Sequence, residues 1–457
     1  MASSRIAPWL KQRRHTTPGP RDFWFLPLGG CGEIGANLNL YGTDGQWLMV
    51  DCGIGFERDQ VGQRVFYPDA SFIESRREEL CGLLITHAHE DHVGAVAYLW
   101  PKLRCPIYTT AFTAEVLRRK LAEQGLLGSV PVHVVDRDAQ LDIGPFAITW
   151  VGVNHSTPES QGLLIETALG RVFHSGDWKF DNKPVLDPVF NADHFAKLRH
   201  QPIDYLVCDS TNATVEGRSH TEGELYKGLK KIVQAAEGRV VVSCFGSNIG
   251  RLHTLVKVAR ACGRYPALMG RSLERFHLAA KLSGVWPDEL ELVPPGHLGY
   301  LPEKEVFAIV TGSQGEKGAV LSRLARGSHR AFDIGPGDTV IFSSRVIPGN
   351  ENDVENIVRL LKLKGIHIVQ ESDSELPIHA SGHPARDELR AMYDCIQPEV
   401  LIPVHGEPQH LQAQAALGRE HGIPKGLEGR NGDIFTLYPY PGIRREAVPV
   451  GRIYRPD

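Results

Sequence analysis

The sequence lacks the features by which a chain enters or crosses a membrane. None of its 457 residues falls in a run of eighteen uninterrupted apolar residues, so no membrane-spanning helix is predicted. The first 22 residues contain basic residues and prolines but no apolar core. This argues against a secretory signal and predicts a loose N-terminal arm over residues 1–22. We therefore expect a cytoplasmic protein with no membrane partner.

Paired cysteines and an excess of positive charge are also absent. The eight cysteines are scattered without a Cys-x-x-Cys pair, which favours buried thiols in a reducing cytosol over a disulfide framework. The formal net charge is −4, whereas proteins that hold nucleic acid on a broad basic face are usually more positive. This counts against a nucleic-acid substrate, although bound metal ions and a local channel can supply positive charge that the sum conceals.

A glycine-rich turn follows the first predicted strand. Gly30, Gly32 and Gly35 match G-x-G-x-x-G, the dinucleotide-binding pattern, which must lead into a helix. Residues 37–41 instead alternate polar and apolar side chains, which is typical of a strand. We therefore reject a nicotinamide site and expect a tight turn whose backbone approaches a metal site.

That metal site is predicted by residues 85–94, with the sequence ITHAHEDHVG. The apolar residues 83–85 are typical of a buried strand, and residues 93–100 are typical of a helix start. Four side chains that can bind a divalent ion therefore lie on one strand-to-helix turn: His87, His89, Asp91 and His92. Imidazole nitrogens and carboxylate oxygens suit zinc or a similar ion. The alternative is a polar loop, which four candidate ligands within six positions make improbable.

Three further candidates stand where other predicted strands end, namely His155, Asp177 and His405. A single histidine or aspartate in such a place is usually structural. Their recurrence at the same kind of position gives them weight, because functional side chains gather at the edges of sheets. Together the seven side chains suit two ions, one held mainly by three histidines and the other by an aspartate and two histidines, with one carboxylate bridging. Asp51 likewise follows the predicted strand over residues 47–50.

The chain is too long for one ordinary hydrophobic core, and the pattern of predicted secondary structure changes near residue 211. Predicted strands then alternate with helices, which indicates a parallel α/β domain; the strands are 239–243, 267–269, 306–310, 339–343 and 365–369. Three of its loops are rich in glycine and hydroxyl residues: 243–248, 270–272 and 311–316. Such loops can bind phosphate through backbone N–H groups, or they can be simple turns. For any one loop the turn is the better interpretation, and three in one domain shift the balance towards phosphate.

These motifs resemble the metallo-β-lactamase fold, whose H-x-H-x-D-H pattern is present as HAHEDH at 87–92. The inserted α/β region resembles the β-CASP nucleases, with Asp209, His383 and His405 at that group's three added motifs. Histidine at the third motif is similar to the RNA-cleaving branch. Further segments resemble the ribonuclease J family: GGCGEIG at 29–35, NHS at 154–156, TGSQGE at 311–316, IPGNE at 347–351, SGH at 381–383 and PVHGE at 403–407.

The resemblance implies an α/β chain in which a metallo-β-lactamase αββα sandwich carries an inserted β-CASP parallel α/β domain. We expect the sandwich at 23–210 and 373–457 and the insert at 211–372. The implied cofactors are two divalent metal ions, zinc in the first place, with manganese or magnesium as alternatives. Members of the family commonly continue into a C-terminal domain that supports dimerisation, so a homodimer is an open expectation for a chain that stops at residue 457.

The implied activity is hydrolysis of single-stranded RNA from the 5′ end, favouring a 5′-monophosphate, with internal cleavage as a second mode and 5′-phosphate products. Asp91 would orient the nucleophile, and His383 would donate a proton or hydrogen bond near the scissile phosphate. Asp51 and Asp209 would support the ligands and His383. The family's phosphate-contacting positions correspond here to Ser243, Ser247, Asn248, His379 and Ser381.

Three other functions are consistent with part of this pattern. A thioester or lactone hydrolase of the same fold would share all seven ligands, but a small substrate needs neither His383 nor a second domain with phosphate-type loops. An inactive binding subunit would lose ligands, and this sequence retains every one. A DNA nuclease stays open, because recognition of the ribose 2′-hydroxyl cannot be located from sequence.

Overall fold

The computed structural model describes residues 16–58, 63–196, 202–330 and 332–455, so most of the predicted N-terminal arm lies outside the described residues. Its strands, labelled in chain order, are β1 Phe23–Gly29, β2 Leu38–Thr43, β3 Gln46–Val50, β4 Gly55–Arg58, β5 Gln63–Pro68, β6 Leu80–Leu84, β7 Ile107–Thr109, β8 Val132–Val134, β9 Gln140–Ile143, β10 Phe146–Gly152, β11 Gln161–Thr167, β12 Gly170–His174, β13 Tyr205–Asp209, β14 Val240–Ser243, β15 Tyr265–Met269, β16 Val306–Val310, β17 Thr339–Phe342, β18 His367–Val369, β19 Val400–Val404, β20 Lys425–Gly426, β21 Ile434–Tyr438, β22 Gly442–Arg444 and β23 Arg452–Tyr454.

The α-helices are α1 Ser71–Glu74, α2 Glu90–Val93, α3 Val96–Leu103, α4 Ala111–Glu123, α5 Asp193–Ala196, α6 Leu225–Ala235, α7 Ile249–Ala261, α8 Arg271–Leu282, α9 Val320–Ala325, α10 Glu351–Leu363, α11 Arg386–Ile396 and α12 Pro408–Glu420. Within the described ranges, none of these helices combines the length and the apolar character that crossing a bilayer requires.

Two large sheets form the centre of the sandwich domain. One has the strand order β22-β21-β1-β2-β3-β6-β7-β8 and the other has the order β20-β19-β13-β12-β11-β10-β9. Successive side chains of β1 point to opposite faces of its sheet, and both faces are buried in a hydrophobic core. Phe23 and Phe25 point into the core between the sheets, whereas Trp24 and Leu26 point into a second core beneath the helices. Each fully buried side chain of this size contributes about 1.5–3 kcal/mol.

Helices cover the outer faces of both sheets. Residues of α3 and α4 belong to the core outside the first sheet, and residues of α11 and α12 belong to the core outside the second. The resulting order of layers, helix–sheet–sheet–helix, confirms the predicted αββα sandwich. Antiparallel pairing of β1 with β21 places segments from both halves of the chain in one sheet.

A third sheet has the order β15-β16-β14-β17-β18, and all of its strand pairs are parallel. Residues of α6, α7 and α8 pack in the core on one face, and residues of α9 and α10 pack in the core on the other. This confirms the inserted parallel α/β domain as a fold. The boundaries at 210/211 and 372/373 stay predictions.

A small sheet of β4, β5 and β23 was not anticipated from the sequence. It begins at Gly55, four residues after Asp51, and its β4–β5 hairpin extends from the predicted metal site towards the inserted domain. The mixed sequence of these strands offers little hydrophobic alternation, because they bury only part of one face.

Candidate metal centre

The histidine turn starts where two neighbouring parallel strands end. β3 and β6 end side by side, and Asp51 N donates to Leu84 O at 2.8 Å. Asp51 adopts φ +63°, a left-handed conformation, which turns its carboxylate under the histidine loop. Thr86 N then donates to Asp51 Oδ1 at 2.8 Å. The predicted strand-to-helix turn is therefore confirmed, although α2 is short and α3 follows it as a separate helix.

A first group of candidate ligands combines His87, His89, His155 and Asp177. The Nδ1 atom of His89 lies 3.1 Å from His87 Nε2 and 3.0 Å from His155 Nε2. Asp177 Oδ2 lies 3.7 Å from the Nε2 atoms of His87 and His155. Three imidazole nitrogens and one carboxylate oxygen thus converge on one point.

A second group combines Asp91, His92, Asp177 and His405. His405 Nε2 lies 3.1 Å from Asp91 Oδ2, and His92 Nε2 lies 3.2 Å from Asp177 Oδ2. His405 Nδ1 also lies 2.8 Å from Asp177 Oδ1. Asp177 belongs to both groups, which is the arrangement that the sequence predicted for two ions with one bridging carboxylate.

The geometry of these groups is compatible with divalent ions. Ligand atoms at 2.0–2.1 Å around a tetrahedral ion are about 3.3 Å apart, and the nitrogens here are 3.0–3.1 Å apart. The buried Nδ1 of His405 has no hydrogen bond within the described residues, although Asp177 Oδ1 lies 2.8 Å away. Atoms that approach one another without hydrogen-bond geometry are expected where a shared cation binds.

Burial and charge set the protonation of the two groups in opposite directions. Burial lowers the pKa of His87 and His155 well below its ordinary value and lowers the pKa of His89 to about 4, so these rings keep free lone pairs. For His92 and His405 burial acts in the same direction, but carboxylates, Asp177 foremost, outweigh it. They raise the pKa of His92 well above its ordinary value and that of His405 to about 10. An ion that binds the second group must therefore displace protons from His92 and His405, whereas the imidazoles of the first group are already neutral.

Neighbouring groups fix the orientation of the candidate ligands. His92 Nδ1 donates to Asp51 Oδ2 at 2.7 Å, which directs Nε2 towards Asp177. His155 Nδ1 donates to Gly382 O at 2.6 Å, which directs its Nε2 towards His89. Gly382 must lack a side chain, because a Cβ there would lie 2.6 Å from the His155 ring.

The glycine turn lies against this centre, as predicted. Gly30 O accepts from His405 N at 2.6 Å, and the left-handed φ of Gly30, +83°, makes that approach possible. The turn also presents Asn37, which sequence reasoning missed. Asn37 Nδ2 lies 3.1 Å from both Asp91 O and His92 Nε2. The only signal in the sequence was a polar residue at the start of a strand beside the glycines.

His383 lies at the edge of the centre and is partly exposed. Its Nδ1 donates to Asp209 Oδ2 at 2.7 Å, and its ring centroid is 5.0 Å from that of His155. Burial opposes protonation, but the Asp209 carboxylate outweighs it and raises the pKa of His383. Asn212, also missed from sequence, donates to Ser381 Oγ at 2.8 Å and to His383 O at 3.2 Å.

The predicted phosphate-binding residues lie in different surroundings. Ser381 stands beside His383, whose N–H donates to Ser381 Oγ at 3.2 Å. Asn248 and His379 surround the buried Arg251: Asn248 Oδ1 accepts from Arg251 N at 2.8 Å, and His379 Nδ1 lies 3.4 Å from Arg251 Nη1.

Ser243 and Ser247 complete the predicted set. Ser243 is buried at the end of β14, and its Oγ has no hydrogen-bond partner among the described residues. Ser247 is half-buried in the loop before α7, and no side-chain contact joins it to the other four within the described ranges.

Three segments match known families: residues 31–210 match the metallo-beta-lactamase superfamily, residues 237–361 match the ribonuclease J beta-CASP domain, and residues 377–425 match the Zn-dependent metallo-hydrolase RNA specificity domain. Ribonuclease J from Sinorhizobium meliloti is 42% identical over 446 residues, covering 96% of this chain and 79% of that protein. The chain belongs to the ribonuclease J family.

Other ribonuclease J relatives agree with this assignment. The protein from Mycolicibacterium smegmatis is 37% identical, with 93% of this chain and 77% of that protein covered. A crystal structure of a protein of unknown function from Enterococcus faecalis V583 has 15% identity and a TM-score of 0.63, and the match covers 91% of this chain and 100% of that one. At this identity the likeness concerns the fold alone. Membership of the metallo-beta-lactamase superfamily implies divalent metal ions, and the ligand groups described above could hold them.

Proposed function

We propose that this ribonuclease J family member hydrolyses phosphodiester bonds of single-stranded RNA from the 5′ end. It favours a 5′-monophosphate, cleaves internally as a second mode and leaves 5′-phosphate products. One observation carries the proposal: two four-residue ligand groups share Asp177, and the His383–Asp209 pair lies directly beside them. A thioester or lactone hydrolase is not favoured, because a small substrate would use neither that pair nor the inserted domain.

Two divalent ions would be held by the groups of the candidate metal centre, the first by three histidines and Asp177 and the second by Asp91, His92, Asp177 and His405. Zinc is the proposed metal because imidazole-rich sites suit it, with manganese and magnesium as alternatives. When bound, such ions make water available as a nucleophile near neutral pH and stabilise charge on the transferring phosphorus.

The side chains of the chain supply orientation and proton transfer. Asp91 is placed to orient the attacking water, because Asp91 Oδ2 faces the interior of the centre beside His405 Nε2. Asp209 raises the pKa of His383, which favours the protonated form of its ring. Its Nε2 makes no hydrogen bond among the described residues and is free to donate to the departing 3′-oxygen.

The test uses metal-loaded protein and one end-labelled RNA sequence carrying a 5′-monophosphate, a 5′-triphosphate or a 5′-hydroxyl. Release of labelled mononucleotide as the first product from the monophosphate RNA supports the proposed exonuclease. A ladder of internal fragments regardless of the 5′ group would overturn the end preference. The same sequence as DNA, and a thioester, test the alternative substrates in parallel.

We also infer a cytoplasmic location, supported by eight cysteines that are all free thiols. Dimerisation is a further proposal by analogy with the family. The mass in solution, measured by light scattering on a sizing column, decides between monomer and homodimer.

A further inference from the structure

The loop after β17 carries an arginine whose charge no described residue neutralises. The side chain of Arg345 is exposed. Its guanidinium makes neither an ion pair nor a hydrogen bond within residues 16–58, 63–196, 202–330 and 332–455. An exposed arginine is common on any surface, so its meaning depends on where the loop places it.

The loop starts between two segments of the predicted phosphate site. β14 and β17 are parallel neighbours, and Ser343 N donates to Ser243 O at 2.9 Å. Ser343 Oγ donates to Ile378 O at 2.7 Å, directly before His379. Arg345 therefore leaves the sheet beside both Ser243 and His379.

One buried amide holds this loop in place. Gln314 is 6% exposed, and its Nε2 donates to Arg345 O at 2.9 Å. Its Oε1 accepts from Ile347 N at 2.8 Å and from Asn350 Nδ2 at 3.3 Å. Because both polar ends of Gln314 bind the same loop, the backbone of Arg345 is fixed before any ligand binds.

The other cations near His379 form ion pairs with carboxylates, whereas Arg345 does not among the described residues. Arg251 is paired with Glu222, with Nη2 and Oε2 at 3.1 Å. Lys179 is paired with Asp181 at 3.2 Å. Arg345 has no such partner in the described part of the chain, so it gives this side of the site an uncompensated positive charge.

Two polar side chains beside this loop are uncharged. Burial lowers the pKa of His379 well below its ordinary value, and Arg251, Lys179 and Arg345 lower it further, so the imidazole is neutral. The buried hydroxyl of Ser243 has no partner among the described residues. A neutral ring, an unpaired hydroxyl and an unpaired guanidinium together suit a phosphate group.

We propose that Arg345 binds the 5′-terminal phosphate of the RNA and thereby determines the preference for phosphorylated over 5′-hydroxyl ends. The inference rests on the proposed function and assigns the residue responsible for its end specificity. A guanidinium binds phosphate oxygens through paired N–H donors, whereas a hydroxyl end offers it no charge.

The experiment compares RNA of one sequence with a 5′-monophosphate or a 5′-hydroxyl, using wild type, Arg345→Ala and Arg345→Lys. In Arg345→Ala the ratio of kcat/KM between the two ends falls about tenfold, as expected for one charge-assisted hydrogen bond. The change lies in KM for the phosphorylated RNA, because the residue acts in binding. Arg345→Lys recovers part of the ratio. Arg359→Ala is the matched control, since Arg359 is an exposed arginine of the same domain on α10.

A binding measurement gives a readout independent of cleavage. Isothermal titration with adenosine 5′-monophosphate and with adenosine compares the phosphate directly. Arg345→Ala weakens binding of the monophosphate about tenfold relative to adenosine. If the variant keeps the wild-type preference and affinity, the role of Arg345 is overturned and the proposed exonuclease stands. If the wild type itself ignores the 5′ group, the proposed end specificity fails and this inference fails with it.

Discussion

Arg58, the last residue of β4, forms an ion pair with Asp353 near the start of α10. Arg58 Nη2 and Asp353 Oδ2 are 2.6 Å apart, and Arg58 Nη1 donates to Gly349 O at 3.1 Å. The hairpin starts from the strand end that holds Asp51, and Gly349 belongs to the loop that carries Arg345. The contact therefore joins the sandwich to the inserted domain.

Removal of this contact should affect stability only slightly. The two side chains are 46% and 31% exposed, so water and salt screen the pair, and we expect Arg58→Ala to lower the free energy of unfolding by less than about 1 kcal/mol. Urea unfolding of Arg58→Ala, Asp353→Asn and the double variant measures the coupling. A loss above 2 kcal/mol in a single variant would contradict the screened pair.

Substitutions of His383 and His405 should have different effects, on cleavage in the first case and on metal content in the second. His383 belongs to a third candidate ligand group, with Asp177, Asp209 and His405, but the two groups proposed to hold the ions are complete without it. His383→Ala is therefore expected to retain both ions and to lose cleavage by about 10²–10⁴. His405→Ala should instead lose one ion. Metal content by mass spectrometry, together with cleavage of labelled RNA, checks both variants. A fall in metal content in step with activity in His383→Ala would show that the residue is structural.

Asp51 should increase the metal affinity of the centre through His92, although Asp51 is not itself proposed as a ligand. Replacing its carboxylate in Asp51→Asn weakens the hold on His92 Nδ1, and we expect about 10–100-fold lower metal affinity. Asp44→Asn is the matched control, because Asp44 also has a left-handed φ, +47°, but lies in an exposed turn. Titration of the ion-free proteins with zinc measures the difference. Equal affinities in the two variants would remove Asp51 from the support of the centre.

The buried pair of Arg251 and Glu222 should dominate the stability of the inserted domain. Arg251 is 1% exposed, and Glu222→Gln leaves its charge buried without a counter-ion, which we expect to cost about 3 kcal/mol of unfolding free energy at pH 7. Burial alone would raise the pKa of Glu222, but Arg251 lowers it below the ordinary value of 4.5. Urea unfolding at pH 7 in the presence of a chelator measures the cost.

The same lowered pKa fixes the sign of the pH dependence. Above about pH 4.5 the carboxylate is ionised in both the folded and unfolded chains, and the full stabilisation is present. As the pH falls through the ordinary value towards the lower folded pKa, the unfolded chain binds the proton first and stability is lost. Over that window Glu222→Gln should show a flatter pH dependence than wild type. Parallel curves would contradict the pairing.

The sequence was sufficient for the positions of the candidate ligands because each follows a recognisable apolar strand. Parallel strands end at a common edge, so His155, Asp177 and His405 could be placed near the histidine turn before their contacts were known. The layer order of the sandwich was implied by the resemblance to the metallo-β-lactamase fold, whereas the alternation of strands and helices predicted the parallel α/β insert.

Contacts that depend on backbone conformation could not be predicted in this way. Asn37 reaches the centre only because the preceding glycines adopt positive φ values, which the pattern of side chains does not reveal. Arg251 would be expected on the exposed face of a helix. It is buried because Glu222 and Ser343, distant in sequence, satisfy its guanidinium.

The pairing of β19 with β13 has a consequence for synthesis on the ribosome. His405 follows β19, which joins its sheet beside β13 only after the inserted domain has been translated. The group of Asp91, His92, Asp177 and His405 is therefore complete only after translation has passed residue 405.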